Sequence, residues 1–192
     1  MNARRTLLAA FGLWFAGAAP AQPVTVEGVK FEPTVQVAGQ TLRLNGAGVR
    51  TRAFFKVYAA ALYVPERSAD ASTLLAQSGP RRVAIALLRE IDADTFTNSL
   101  ADGLKANHSA AQMAELKAPL ERLQSMFRSI GAAKKGDVVH LDYAPEAGTR
   151  VIVNGQPQGE PIPGAAFFAA LLRVWLGDKP ADAALKKAML GG

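Results

Sequence analysis

The sequence has no cysteine and only two histidines among its 192 residues. Without cysteine no disulfide can hold the chain, so a buried hydrophobic core has to provide its stability. The histidines, His108 and His140, have no second histidine or carboxylate at metal-ligand spacing. The sequence therefore predicts neither a metal site nor a bound cofactor.

Two common catalytic patterns are also missing. The glycines of Gly46-Ala47-Gly48 are not followed by the lysine and hydroxyl residue of a phosphate-binding loop. Ser99, Ser109 and Ser125 lack the flanking glycines of a nucleophile elbow, so the sequence gives no support to a serine hydrolase.

Basic residues are in slight excess and are scattered along the chain. Residues 1–21 contain two of the 22 lysines and arginines and none of the 16 acidic residues, which leaves a net charge of +4 for the remainder. Because no basic helix or arginine–aromatic stripe occurs, nucleic acid is a poor candidate partner. The pattern favours a solvated surface of mixed charge.

The first residues have the arrangement of a secretory signal peptide. Two arginines precede an apolar stretch over residues 7–19, and small residues follow it. The stretch is shorter than the about 20 residues of a membrane span, although an uncleaved anchor is the alternative interpretation. We expect cleavage between Ala21 and Gln22, and a single periplasmic domain over residues 22–192 without an integral membrane span.

Hydrophobic alternation and turn residues predict antiparallel strands near both ends of this domain. Residues 23–64 are expected to form three or four strands around turns at Gly28 and Gly39-Gln40. Further strands are predicted over residues 82–88, 138–143 and 149–153, with a turn at Asn154-Gly155.

Helical periodicity and capping residues predict a helical layer. The expected helices are 69–78 capped by Ser68, a helix from Asp92 or Asp94, a helix from Ser109 to Ile130 with either a kink at Pro119 or a break near Lys117, and two helices over 164–176 and 180–190. Strands early and late, with helices between and after them, indicate one α+β domain with helices on an antiparallel sheet.

Residues 45–64, NGAGVRTRAFFKVYAAALYV, combine turn residues, cations and an apolar run. Asn45-Gly46 and Gly48 are typical of a tight turn, and the run from residue 53 to 64 predicts a buried strand. Arg50 at the mouth of this strand and Tyr58 along it could both face an apolar cavity. A fixed cation beside a hydroxyl is a way to hold a carboxylate or an oxyanion.

Each of these residues also has a simpler interpretation. Arg50 could be a surface arginine beside a turn, and Tyr58 a core tyrosine whose hydroxyl bonds to the backbone. Lys56 lies two residues before Tyr58, which predicts the same strand face, but its amine could instead extend to solvent. Arg52 shares the face of Arg50 by the same spacing and is expected at the rim.

This segment and the tail NGQPQGEPIPGAAFFAALLRVWLGDKPADAALKKAML resemble the bacterial chalcone isomerase-like proteins, over nearly all of residues 22–192. The resemblance implies an open-faced β-sandwich, in which helices back a large antiparallel sheet and a ligand cleft lies between them. In the plant enzymes of this superfamily an arginine, aided by hydroxyls, acts on the developing oxyanion as a phenolate attacks an enone. Arg50 corresponds to that arginine through its GVR context.

The hydroxyl positions of those enzymes are only partly present. By the resemblance, one hydroxyl position falls on Tyr58, a second near Phe96 and a third near Val174, so that two of them are apolar in this chain. Loss of an oxyanion donor commonly costs about 10²-fold or more in rate. The superfamily also contains non-catalytic fatty-acid-binding proteins, in which an arginine and a tyrosine hold the carboxylate.

Three hypotheses follow. The first is a non-catalytic binder of a fatty acid or similar amphipathic carboxylate, with Arg50 as anchor, Tyr58 as second donor, and Phe96 and Lys56 as further ligand-binding candidates. The second is an isomerase acting on a chalcone-like or enone substrate, with Arg50 and Tyr58 as catalytic residues. The third is an envelope interaction protein with a vestigial cleft and unknown protein partners. Candidates for the pocket or core are Phe54, Phe55, Phe96, Phe167, Phe168 and Leu172.

Overall fold

A computed structural model describes residues 22–192, and the predicted signal peptide over residues 1–21 lies outside that part of the chain. The described chain forms nine strands and six helices. The strands are β1 Val24–Val26, β2 Val29–Phe31, β3 Thr34–Val37, β4 Gln40–Arg52, β5 Phe55–Val64, β6 Arg81–Leu87, β7 Val138–Ala144, β8 Gly148–Val153 and β9 Gln156–Ile162. The helices are α1 Ala71–Ala76, α2 Ala93–Asn107, α3 Ala110–Glu115, α4 Lys117–Ile130, α5 Ala165–Leu176 and α6 Ala183–Met189.

Strands β3 to β9 form one seven-stranded antiparallel sheet in which each strand pairs with its neighbours in sequence. Strands β1 and β2 form a separate hairpin. Glycines that follow a residue of positive φ make three of the tight connections, at Glu27-Gly28, Ala38-Gly39 and Asn154-Gly155. The turns at Gly28 and at Asn154-Gly155 were predicted, whereas the turn predicted at Gly39-Gln40 lies one residue earlier, at Ala38-Gly39. All three suit two-residue hairpin loops because both central residues have φ > 0.

The two faces of the sheet are covered differently. The helices pack on one face, where the main hydrophobic core includes Leu62, Ile85 and Leu141 from the strands and Leu104 and Trp175 from the helices. A smaller cluster on the other face contains Ala59, Ala61 and Tyr63, covered by residues of the β1–β2 hairpin such as Phe31. This architecture confirms the predicted α+β open-faced β-sandwich. None of the helices in residues 22–192 is long and apolar enough to cross a bilayer.

The predicted turn at Asn45-Gly46 and Gly48 is wrong, because these residues lie inside the long strand β4. Helix α6 packs directly on this part of the strand, and a Cβ on Gly46 would overlap the carbonyl oxygen of Ala188. The glycines therefore permit close approach of a helix rather than a change in chain direction. The buried Asn45 amide donates to the Met189 carbonyl at 2.7 Å and fixes the end of α6 to the sheet.

Several element boundaries also differ from prediction. Residues 23–64 form five strands rather than three or four, and strand β9 was not predicted. Helix α1 is capped by Asp70, whose carboxylate accepts from the Thr73 amide at 2.6 Å, and not by Ser68. Helix α6 starts after Asp182, not at residue 180. The break near Lys117 is confirmed, since α3 ends at Glu115 and α4 begins at Lys117.

Candidate ligand-binding site

A cavity of about 450 Å³ opens at the tip of the β4–β5 hairpin, between that tip and the first turns of α2. Its lining divides by chemistry into three arginines, two hydroxyl residues and an apolar wall. The arginines are Arg50, Arg52 and Arg89, and the hydroxyl residues are Thr95 and Ser99. The apolar wall consists of Phe55, Val57, Ile91 and Phe96. Glu90 and Asp92 also contribute to the lining.

Arg50 is held near the end of β4, directly opposite Tyr58 on β5. Its side chain is half-buried, and its Nε is fully buried without a hydrogen-bond partner in the described chain. No carboxylate of residues 22–192 forms an ion pair with it. A buried donor without an acceptor costs about 1–3 kcal/mol, and more for a charged group. Arg50 therefore offers a cation with unused hydrogen-bonding capacity at the cavity wall.

The Tyr58 ring packs against the Arg50 guanidinium. The Arg50 Cζ lies 5.6 Å from the centroid of the Tyr58 ring, a cation–π arrangement. The Tyr58 hydroxyl accepts a hydrogen bond of 2.9 Å from Trp175 Nε1 of helix α5. Burial raises the pKa of the Tyr58 phenol, and the Arg50 charge and the polar contacts of the hydroxyl with Trp175 and Arg50 offset this only in part. The neutral tyrosine is thus fully buried beneath the guanidinium, and it does not line the cavity.

The start of helix α2 supplies the hydroxyl groups. Asp92 caps this helix, with its carboxylate accepting from the Thr95 amide at 2.8 Å and from the Thr95 hydroxyl at 2.6 Å. These hydrogen bonds lower the pKa of Asp92 and keep it ionised. The Thr95 hydroxyl is therefore engaged by the cap, whereas Ser99, one turn further, adds a second hydroxyl to the lining.

Phe96 lies between this cavity and a second, much smaller space. The second space, about 10 Å³, is lined by apolar residues that include Ile91, Phe96, Phe127 and Val139. Phe96 and Phe127 contact each other with ring centroids 4.8 Å apart. Phe96 and Ile91 line both spaces.

The structure brings only some of the sequence candidates to this cavity. Arg50, Phe96 and Phe55 line it. Phe54 is 97% exposed at the hairpin tip. The remaining candidates Phe167, Phe168 and Leu172 are buried in the core and do not reach the cavity.

Lys56 lies away from the cavity because the strand is irregular at this point. Arg50 pairs with Tyr58 and Thr51 with Lys56, which leaves Val57 as an extra residue in β5. This bulge breaks the two-residue alternation on which the shared face of Lys56 and Tyr58 was predicted. Lys56 instead forms an ion pair of 2.7 Å with Glu27 in the turn between β1 and β2.

Val174, where the resemblance places a hydroxyl, is buried on α5 against Gly103 of α2. It does not line the cavity. Sequence reasoning also missed Arg89 and Ile91, which belong to the connection between β6 and α2 and have no periodic pattern. For Ser99 a signal exists, since it lies three residues after Phe96 and hence on the same helical face.

The fold and this site define an open-faced β-sandwich with an arginine-lined cavity between its sheet and its helices. Residues 23–191 match the chalcone isomerase-like family, and the chain belongs to that family. The crystal structure of a fatty-acid binding protein from Arabidopsis thaliana is similar, with a TM-score of 0.67 and 16% identity over 88% of this chain and 96% of that chain. The sequence matches no curated protein. At such low identity the structural likeness establishes the fold alone.

Proposed function

We propose that this protein, exported after removal of residues 1–21, is a non-catalytic binder of a fatty acid or similar amphipathic carboxylate, with Arg50 as its anchor. The observation that carries this proposal is Arg50, which lines the cavity and has no ion-pair partner among residues 22–192. A carboxylate is the simplest complement, because it supplies negative charge and two acceptor oxygens to a forked donor.

The shape and polarity of the cavity fit the remainder of such a ligand. Its volume of about 450 Å³ lies in the range of small-molecule sites. The apolar wall of Phe55, Val57, Ile91 and Phe96 lies in the same cavity as the arginines. Each methylene buried there contributes about 0.8 kcal/mol, so that a short alkyl chain suffices for micromolar affinity.

The likeness to a fatty-acid binding protein supports the same assignment. In our proposal the two proteins share a ligand class as well as a fold. Tyr58 then has a different role from the one expected, since its hydroxyl is engaged by Trp175 and its ring supports the arginine. Phe96 forms the end wall of the cavity in place of a polar group.

Native mass spectrometry of the protein purified from cells tests this proposal. We expect an additional mass that matches a fatty acid or a similar carboxylate, which Arg50→Ala should lose. Arg150→Ala, which removes an exposed arginine on β8, is the matched control and should retain the ligand. Purified protein that is free of ligand and also ignores added fatty acid would overturn the assignment.

One observation favours an isomerase as the second candidate. Arg50 and Ser99 line the same cavity, so a cation and one hydroxyl that is not engaged by the helix cap are available to an enone carbonyl. Loss of chalcone absorbance on ring closure measures this activity directly. A rate above that of buffer that disappears in Arg50→Ala would favour the enzyme, and a rate equal to buffer would remove the case for chalcone chemistry.

A further inference from the structure

The tip of the β4–β5 hairpin carries two adjacent exposed aromatic side chains. Among the large hydrophobic residues in the described chain, only Val24, Phe54 and Phe55 are exposed. Phe54 is 97% exposed and Phe55 is 61% exposed, and the positive φ of Ala53 turns the chain just before them. Exposed aromatic residues at a protruding turn are unfavourable in water and mark a contact surface.

The charges at this tip are of one sign. Residues 52–56 contain Arg52 and Lys56 and no carboxylate. Arg89 from the β6–α2 connection adds a third cation, with its Cζ 5.0 Å from the centroid of the Phe55 ring. The nearby carboxylates lie outside the tip. Three of them are engaged: Glu27 with Lys56, Asp92 with the α2 cap, and Asp182 with the Thr51 amide. Glu90 is exposed beside Arg89.

From this arrangement we propose that the hairpin tip docks the protein on a phospholipid bilayer surface, with preference for anionic lipids. Phe54 and Phe55 enter the interfacial region, while Arg52 and Arg89 contact lipid phosphates. Aromatic rings inserted beside cations are the usual composition of surface-bound segments, and each cation near an anionic surface adds to the attraction.

The small area of the tip favours a bilayer over a protein partner. A phenylalanine buries about 150–250 Å² when it is fully covered, so the two rings together supply well under the about 800 Å² per partner of a stable protein interface. A bilayer needs no such matching surface, since it accepts a protruding tip into its interface.

The same residues also form the mouth of the cavity. Arg52, Ala53, Phe55 and Arg89 line the opening as well as the tip. Docking therefore places the opening against the lipid, so that an amphipathic molecule can exchange between bilayer and cavity without crossing water. The docking itself does not depend on the proposed ligand, and it is tested with vesicles that contain no free fatty acid.

The absence of cysteine allows a site-specific test in the protein as the cells produce it. A single environment-sensitive nitrobenzoxadiazole label is attached to Phe54→Cys or, as a control at the other exposed apolar position, to Val24→Cys. The probes are phosphatidylcholine vesicles and vesicles of equal parts phosphatidylcholine and phosphatidylglycerol. We expect a blue shift and brighter emission at position 54, larger with phosphatidylglycerol, and none at position 24.

Co-sedimentation gives a second readout without a label. The double variant Phe54→Ser with Phe55→Ser should bind the mixed vesicles at least about tenfold more weakly, whereas Val24→Ser should bind as the unmodified protein does. An unchanged emission at position 54, or an equal shift at position 24, would overturn the proposal. A shift at position 54 that grows with protein concentration in the absence of vesicles would overturn it too, in favour of a second copy of the chain.

Discussion

At the scale of single residues, a stack of three side chains holds the cation of the site in place. Trp175 donates to the Tyr58 hydroxyl, and the Tyr58 ring lies beneath the Arg50 guanidinium. Only the guanidinium reaches the cavity. Both Arg50 and Tyr58 were expected to contact a ligand. In the structure Arg50 lines the cavity, whereas Tyr58 holds the Arg50 guanidinium in position.

Tyr58→Phe tests this separation. The variant keeps the ring beneath Arg50 but removes the acceptor of the Trp175 indole, which leaves a buried donor without a partner. We expect a loss of about 1–3 kcal/mol in the free energy of unfolding, measured by urea denaturation, with fatty-acid affinity changed by less than about threefold. A large loss of affinity at unchanged stability would instead identify the hydroxyl as a ligand contact.

We expect His140 to make the stability of the protein sensitive to pH. Burial lowers the pKa of His140 below its usual 6.5, and the charge of Arg82 adds to this effect while Asp142 opposes it. Between the lowered pKa and 6.5 the unfolded chain binds more protons, so the free energy of unfolding falls as the pH is reduced through this window.

The prediction is a lower melting temperature at pH 5 than at pH 7, and a smaller difference in His140→Gln. This range lies above the pKa values of Asp70, Asp92 and Asp137, which hydrogen bonds hold below their usual 3.8. An equal pH dependence in the variant and the unmodified protein would show that another group is responsible.

Arg50, the proposed anchor of the site, could be identified from its local sequence, but the contact between Tyr58 and Trp175 that supports it could not. Arg50 stands out because its GVR context precedes an apolar strand. Trp175 is 117 residues from Tyr58 in the chain, and nothing in either segment indicates that they meet. The predicted position of Lys56 on the face of Tyr58 was wrong, because Val57 is an extra residue in β5. This bulge moves the strand residues before it to the opposite face of the sheet.

At the scale of elements, the contact between β4 and α6 defines this end of the sheet. A Cβ on Gly46 would meet the backbone of α6, whereas a Cβ on Gly48 would lie 2.6 Å from the Ala188 side chain. Asp182 adds a polar link, since its carboxylate accepts from the Thr51 amide and caps α6 through the Leu185 amide, both at 2.9 Å.

Because Gly46 faces the backbone of α6 and Gly48 faces the Ala188 side chain, alanine substitutions at the two glycines should respond differently to a change at residue 188. Both Gly46→Ala and Gly48→Ala should lower the free energy of unfolding by about 1–3 kcal/mol through overpacking. Adding Ala188→Gly should restore part of the loss in Gly48→Ala, because it removes the clashing methyl group, and none of the loss in Gly46→Ala. Urea denaturation of the four variants measures both effects, and equal rescue of the two glycine variants would contradict this account of the contact.

Helices were easier to predict than strands, for reasons visible in particular elements. Helices α2 and α5 have apolar stripes and clear ends, and Ser109 with Gln112 forms a capping box at the start of α3. Strand β9 contains Pro157, Gly159 and Pro161, which are uncommon in strands, so its sequence does not indicate a strand. These residues are tolerated because β9 is an edge strand of the sheet. The glycines of β4 resembled a turn because their real partner, α6, lies more than 130 residues later.

At the scale of the whole molecule, a meander of seven strands brings the site together. The tip of the β4–β5 hairpin and the connection from β6 to α2 meet at one end of the helical layer. The class of fold followed from the order of the predicted elements and from the family resemblance. The family resemblance implied a cleft, but the residues that line it from the β6–α2 connection could not be predicted, since the lining depends on the distance between two irregular segments.

The predicted signal peptide would determine where the whole molecule is located. We expect cell fractionation to recover the protein outside the cytoplasm, with an intact mass that corresponds to a chain starting at Gln22. The basis is the order of charge, apolar stretch and small residues in residues 1–21. Recovery of the full-length chain in the membrane fraction would favour the uncleaved anchor.

Calorimetric titration with decanoate and with decan-1-ol, which share a chain length but differ in charge, shows whether Arg50 anchors a carboxylate. The unmodified protein and the Arg150→Gln control should prefer decanoate by about tenfold or more, the value of a charge-assisted hydrogen bond. Arg50→Gln should bind both compounds alike, near the affinity for the alcohol. Equal affinities in the unmodified protein, or a preference for decanoate that survives in Arg50→Gln, would contradict the account.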